Sequence, residues 1–138
     1  MDAKEVRTAL EAKGVKLGVP AGSENLKQFE SSMQLTMDRY LRQIYAEFDG
    51  FTSYDERSQI ILWPLDRILQ CRSMSLEKRG EKYFAVGDFL IDSDFLMCCL
   101  QRESAPIFFL YEEREVATAA SEFFRMFISG EFDFFCDR

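Results

Sequence analysis

The sequence contains no histidine. That removes the Ser-His-Asp kind of triad, every imidazole metal site, and the side chain that changes charge near neutral pH. Basic residues are scarce: 17 Lys+Arg stand against 24 Asp+Glu, for a formal net charge of −7. A nucleic-acid binder draws affinity from cations that neutralise phosphates, so nucleic acid is not the expected partner. No apolar run approaches the roughly 18 residues that a membrane span needs. Met1-Asp2-Ala3-Lys4-Glu5 has no apolar stretch behind it of the signal-peptide kind. The expectation is a cytoplasmic protein with no membrane partner. The four cysteines, Cys71, Cys98, Cys99 and Cys136, form no C-x-x-C pair. With no histidine to complete a zinc set, no metal is expected. They read as small buried hydrophobes in a reducing compartment. G-x-x-x-x-G-K-[ST], G-x-G-x-x-G and G-x-S-x-G are all missing, and no cofactor is expected.

What is present describes one ordinary domain. The chain has 138 residues, 47% of them hydrophobic and 30% charged, enough to bury a core. Residues 1–24 read as an N-terminal arm and linker. Val6 and Leu10 share a face of a short helix over 3–13, and Gly14, Gly18, Pro20 and Gly22 break the pattern. The body is expected over 25–138. Leu26, Phe29 and Met33 mark a first helix, with Ser23 as its N-cap. Met37, Leu41, Ile44, Tyr45 and Phe48 mark a second, over 36–48, closed by Gly50. Ile60 to Trp63 is a strand, and Pro64 opens a short helix to Gln70. The charged stretch 72–82 is expected to be exposed. Strands over 83–91, 95–101 and 107–111, joined by short turns, form an antiparallel meander. A helix over 115–129 follows, with Val116, Ala120, Phe123, Phe124 and Phe127 as its apolar stripe. The tail residues Phe132, Phe134 and Phe135 are too apolar to be free, so they pack back or meet a partner. The fold class is α+β, with helices packed on an antiparallel sheet.

Two acidic groups invite a chemical reading. Asp88, Asp92 and Asp94 surround one turn, but without the spacing or terminal glutamate of a calcium loop, turn chemistry is the simpler explanation. Glu112, Glu113 and Glu115 precede the last helix, where they suit its positive end. Paired carboxylates can serve as acid and base in glycoside hydrolysis. Nothing in the sequence supplies a sugar cleft, and the chain is read as non-enzymatic. The charge is unevenly placed. Residues 1–85 carry 13 of each sign, whereas residues 86–138 carry 4 basic and 11 acidic. An acidic surface keeps a Phe-rich body soluble, and it also suits a basic partner.

Several stretches, taken in order, resemble the SUKH superfamily of bacterial immunity proteins, a group that also includes a fungal cell-wall-synthesis regulator. They are Phe29-Glu30, Leu35-Thr36-Met37-Asp38-Arg39-Tyr40, Asp49-Gly50, and Ile61-Leu62-Trp63-Pro64-Leu65-Asp66-Arg67-Ile68. The match continues through Ala85-Val86-Gly87-Asp88, Asp94-Phe95, Ile107-Phe108-Phe109-Leu110-Tyr111 and Ala120-Ser121-Glu122-Phe123-Phe124. Thr36 stands where that family usually has proline.

The resemblance implies a SUKH-like single domain that neutralises a cognate protein toxin by covering its active site or substrate groove. If that toxin is a basic nuclease, the acidic half would mimic phosphate. The alternative is an intracellular scaffold or regulatory adaptor of the same fold. Exposure reasoning then selects the partner-facing residues. Asp88, Asp92, Asp94, Glu112, Glu113 and Glu115 are the first choice, Asp55 and Glu56 are secondary, and Phe132, Phe134 and Phe135 are the apolar anchors.

Overall fold

A computed structural model describes residues 1–91, 93–111 and 114–133. Helices α1 (Ala3–Ala12), α2 (Ser23–Met33) and α3 (Arg39–Glu47) come first. Strand β1 (Ile60–Leu62), helix α4 (Leu65–Gln70) and strands β2 (Ser75–Lys78), β3 (Glu81–Phe89), β4 (Asp94–Cys98), β5 (Ile107–Phe109) and β6 (Arg114–Ala117) follow, then helix α5 (Ala120–Ile128). The strands join one curled antiparallel sheet in the order β1-β3-β4-β5-β6, with β2 off this path and paired to β3, an α+β fold.

The long strand β3 organises the sheet. Its first half pairs with β2, from Lys78↔Glu81 to Ser75↔Phe84, and its last three residues pair with β1. Helix α4 is the bridge between those two short strands. The register slips between Ala85 and Gly87, and Trp63 N donates to Val86 O at 2.8 Å beside that bulge. Glycine is required at 87 because a Cβ there would lie 2.5 Å from Ile61 O. At Gly50 the backbone is left-handed (φ +72°), and a Cβ would lie 2.7 Å from Trp63 C and Pro64 N.

The helices cover the sheet with one core. On α3, Leu41, Ile44 and Tyr45 are buried, and the Tyr45 hydroxyl donates to Trp63 O at 2.8 Å. Asp38 caps this helix by accepting from Leu41 N at 3.0 Å. Its other oxygen accepts from Ser104 N at 3.1 Å, which ties α3 to the β4–β5 connection. That cap is why the helix starts at Arg39 rather than at 36. Helix α2 starts at Ser23 itself, with Gly22 in the cap position.

Three further expectations change. The N-terminal arm is not peripheral: Val6 and Leu10 of α1 are fully buried and join the same core, and Arg7 pairs with Glu47 at 2.9 Å. Burying those two side chains contributes about 1.5–3 kcal/mol each. An Asp2–Glu5 capping box starts α1. Within 72–82, residues 75–78 form β2, the outer arm of a hairpin turning at Arg79-Gly80. The helix expected over 115–129 divides. Residues 114–117 pair with β5, the backbone is extended at Ala119, and α5 begins at Ala120. Val116 and Ala117 are buried in the sheet rather than on a helix stripe.

Phe124 and Phe127 of α5 meet Phe48 and Phe51 edge-on, with ring centroids 6.3 Å (Phe48–Phe124) and 5.5 Å (Phe51–Phe127) apart. No helix among the described residues is long and apolar enough to cross a membrane.

Candidate interaction surface

Asp88 lies inside the protein. Its side chain is 0% exposed. Oδ2 accepts from Trp63 Nε1 at 2.7 Å, and Oδ1 accepts from the Tyr54 hydroxyl. Arg67 Nη2 lies 3.8 Å from Oδ2, with its guanidinium stacked 4.4 Å from the centroid of the Trp63 ring. A buried carboxylate persists only with such partners. The expectation that Asp88 meets a partner at the surface is therefore corrected: it ties β3 to the β1–α4 junction.

Other expected contact residues are also internal. Asp94 is buried, and its Oδ1 accepts from Phe95 N at 2.7 Å and from Tyr111 N at 2.9 Å. It fixes two turns against each other rather than offering a charge outward. Asp55 is buried, accepting from Ser58 N at 2.9 Å and Ser58 Oγ at 2.7 Å, which shapes the 54–59 loop. Phe132 packs back into the core, its ring 5.4 Å from that of Phe123, so the expectation that it anchors a partner is corrected. Glu56 and Glu115 are exposed. Glu115 sits on β6 opposite Phe108 and not at a helix start, which removes the helix-end explanation for it. Asp92, Glu112, Glu113, Phe134 and Phe135 lie outside the described residues.

Sequence reasoning missed the residues that do project. Leu90 and Ile91 form the tip of the β3–β4 turn, 37% and 73% exposed, and Tyr111 at the β5–β6 turn is 66% exposed. Strand order and direction bring both turns to one end of the sheet. The Tyr111 ring rests edge-on against Phe95, which contacts Trp63 in the same way. Leu90 and Ile91 are both left-handed, with φ of 50° and 48°. That conformation suits glycine or asparagine, and it costs a β-branched residue about 1–2 kcal/mol. The turn is nonetheless held: Leu90 N donates to Gln59 O at 2.9 Å, Ser93 N to Phe89 O at 3.0 Å, and Ser93 Oγ to Leu90 O at 2.8 Å. Apolar side chains are thus presented to solvent at a cost in backbone energy, on a frame that does not need to reorganise.

The chemistry available elsewhere is limited. Burial pushes the Cys98 thiol well up from its ordinary value, and burial together with Glu81 raises that of Cys99, so both stay protonated. Among the described residues, no group of three His, Cys, Asp or Glu side chains could hold a metal ion.

The sequence matches no protein-family model, and no curated protein matches it.

Proposed function

We propose that this chain is an immunity protein that binds a cognate bacterial toxin and covers its active site or substrate groove. The observation that carries this reading is the end of the sheet, where two braced turns hold Leu90, Ile91 and Tyr111 out in solvent. Exposed apolar side chains on a rigid frame supply the anchoring contacts of a protein interface. In sequence Asp92 follows Ile91, Glu112 and Glu113 follow Tyr111, and the chain from residue 86 onward is strongly acidic. Such charge speeds the approach of a basic partner and orients it.

The resemblance to the SUKH superfamily gives further support. Its stretches pack on one another: Asp49 Oδ1 accepts from Leu65 N at 2.9 Å, Gly50 abuts Trp63-Pro64, and Gly87-Asp88 faces Ile61 to Trp63. Neutralisation on this reading is by occupancy, and the chain makes and breaks no covalent bond.

Co-expression with the product of the neighbouring gene tests the proposal. The wild-type chain should restore growth to cells that this product poisons. The double variant Ile91→Ser, Tyr111→Ser, shown to be folded by circular dichroism, should not. Lack of rescue by the wild type would overturn the immunity reading. Undiminished rescue by the double variant would remove the end of the sheet as the contact.

A further inference from the structure

A separate groove of about 410 Å³ runs between α2 and α4. Phe29, Leu65 and Leu69 are its apolar lining residues. Two carboxylates reach it, Asp49 from the end of the α3 connection and Asp66 from α4. Neither has a cation partner among the described residues; the adjacent Arg67 is engaged with Asp88 and the Trp63 ring. Asp49 Oδ1 is used by Leu65 N, while Oδ2 has no donor among the described residues. Neutral hydrogen-bonding side chains, Asn25 and Gln28, line the opposite wall from α2.

Asp49 is held in place before anything binds. Asp49 N donates to Val19 O at 3.0 Å, and Gly18 N donates to Gly50 O at 2.9 Å. Burial raises the Asp49 carboxyl above its ordinary value; the bond from Leu65 N opposes this, and the nearby Asp66 charge adds to it. A cation in the groove would relieve both the like-charge repulsion and the lack of solvation.

We infer that the α2–α4 groove receives an arginine side chain presented by the protein partner. Its aliphatic stem lies along Phe29, Leu65 and Leu69, as long basic side chains do on apolar surfaces. Its planar fork meets Asp66 and Asp49 Oδ2 and still has donors for the amide oxygens of Asn25 and Gln28, a donor set that a lysine ammonium does not match in number or plane. The inference rests on the reading above only in taking the partner to be a protein.

The probe is N-acetylarginine amide, titrated into the full ¹⁵N-labelled chain and followed by NMR. The Leu65 backbone amide and the Asn25 and Gln28 side-chain amides should shift saturably. Asp66→Asn, an exposed position that leaves the Asp49–Leu65 bond intact, should weaken binding about three- to fivefold. Higher salt should weaken it as well. N-acetylcitrulline amide, the neutral isostere, should not saturate. The inference is overturned if the citrulline and arginine amides behave alike, if the shifts fall elsewhere, or if none saturates. Equal binding of N-acetyllysine amide would overturn the choice of arginine. Because the titration needs no toxin, its failure is distinguishable from a failed rescue of poisoned cells.

Discussion

Trp63 Nε1 donates to Asp88 Oδ2 at 2.7 Å, and both residues are sealed from solvent. This bond joins the strand that enters α4 to the central strand of the sheet. Removing the acceptor leaves the Trp63 indole N–H unpaired in the interior and takes a buried carboxylate partner from the Tyr54 hydroxyl and Arg67. Asp88→Ala should therefore cost about 3 kcal/mol or more in urea unfolding. Asp88→Asn keeps an acceptor for the indole and should cost less. Equal stability of wild type and Asp88→Ala would contradict the role assigned to this carboxylate.

The β3–β4 turn should show a trade between stability and binding. Ile91→Gly removes a left-handed β-branched residue and should raise unfolding free energy by about 0.5–1 kcal/mol, part of the relief being offset by the freer unfolded chain. The same change deletes an exposed contact, so partner affinity should fall. A variant that loses stability but keeps full binding would show that the turn is retained for folding alone.

Asp49 sets a pH dependence with a definite sign. Its carboxyl is raised in the folded state, so the native protein holds that proton more tightly than the unfolded chain. The resulting contribution is fully present below the ordinary aspartate range and is lost as pH rises through the raised value. Asp49→Asn, which preserves an acceptor for Leu65 N, should remove this part of the slope. Urea midpoints for both proteins across the acid range check it. Parallel curves would contradict the burial of this group.

Thiol reactivity should follow burial. In the native protein, alkylation at neutral pH should reach the half-buried Cys71 before Cys98 or Cys99, whose protonated thiols are enclosed. Peptide mapping after brief iodoacetamide treatment distinguishes them. Early labelling of Cys98 would mean that the β4 face opens readily.

Much of the fold was legible because punctuation and periodicity agreed. Gly50 and Pro64 mark real element ends, and the aromatic runs at 83, 95 and 107 are the meander. Strand β6 was hidden because Val116, Ala120, Phe123 and Phe127 also satisfy a helical period, and only pairing with β5 decides between the two. Strand β2 was hidden by its charged sequence, which suits an outer hairpin arm as well as a loop. The candidate surface was harder to read. Acidic residues near turns look exposed, yet Asp55, Asp88 and Asp94 each satisfy local backbone or side-chain donors and turn inward. Leu90 and Ile91 look like the end of a strand, since nothing in their side chains announces a left-handed turn.

The most direct test is isothermal titration calorimetry of the purified chain against the purified product of its neighbouring gene. The wild type should bind with saturable stoichiometry, and the folded Ile91→Ser, Tyr111→Ser variant should bind at least tenfold more weakly, about 1.4 kcal/mol. No heat of binding with the wild type, or identical isotherms for both proteins, would contradict a partner-capturing role at this end of the sheet.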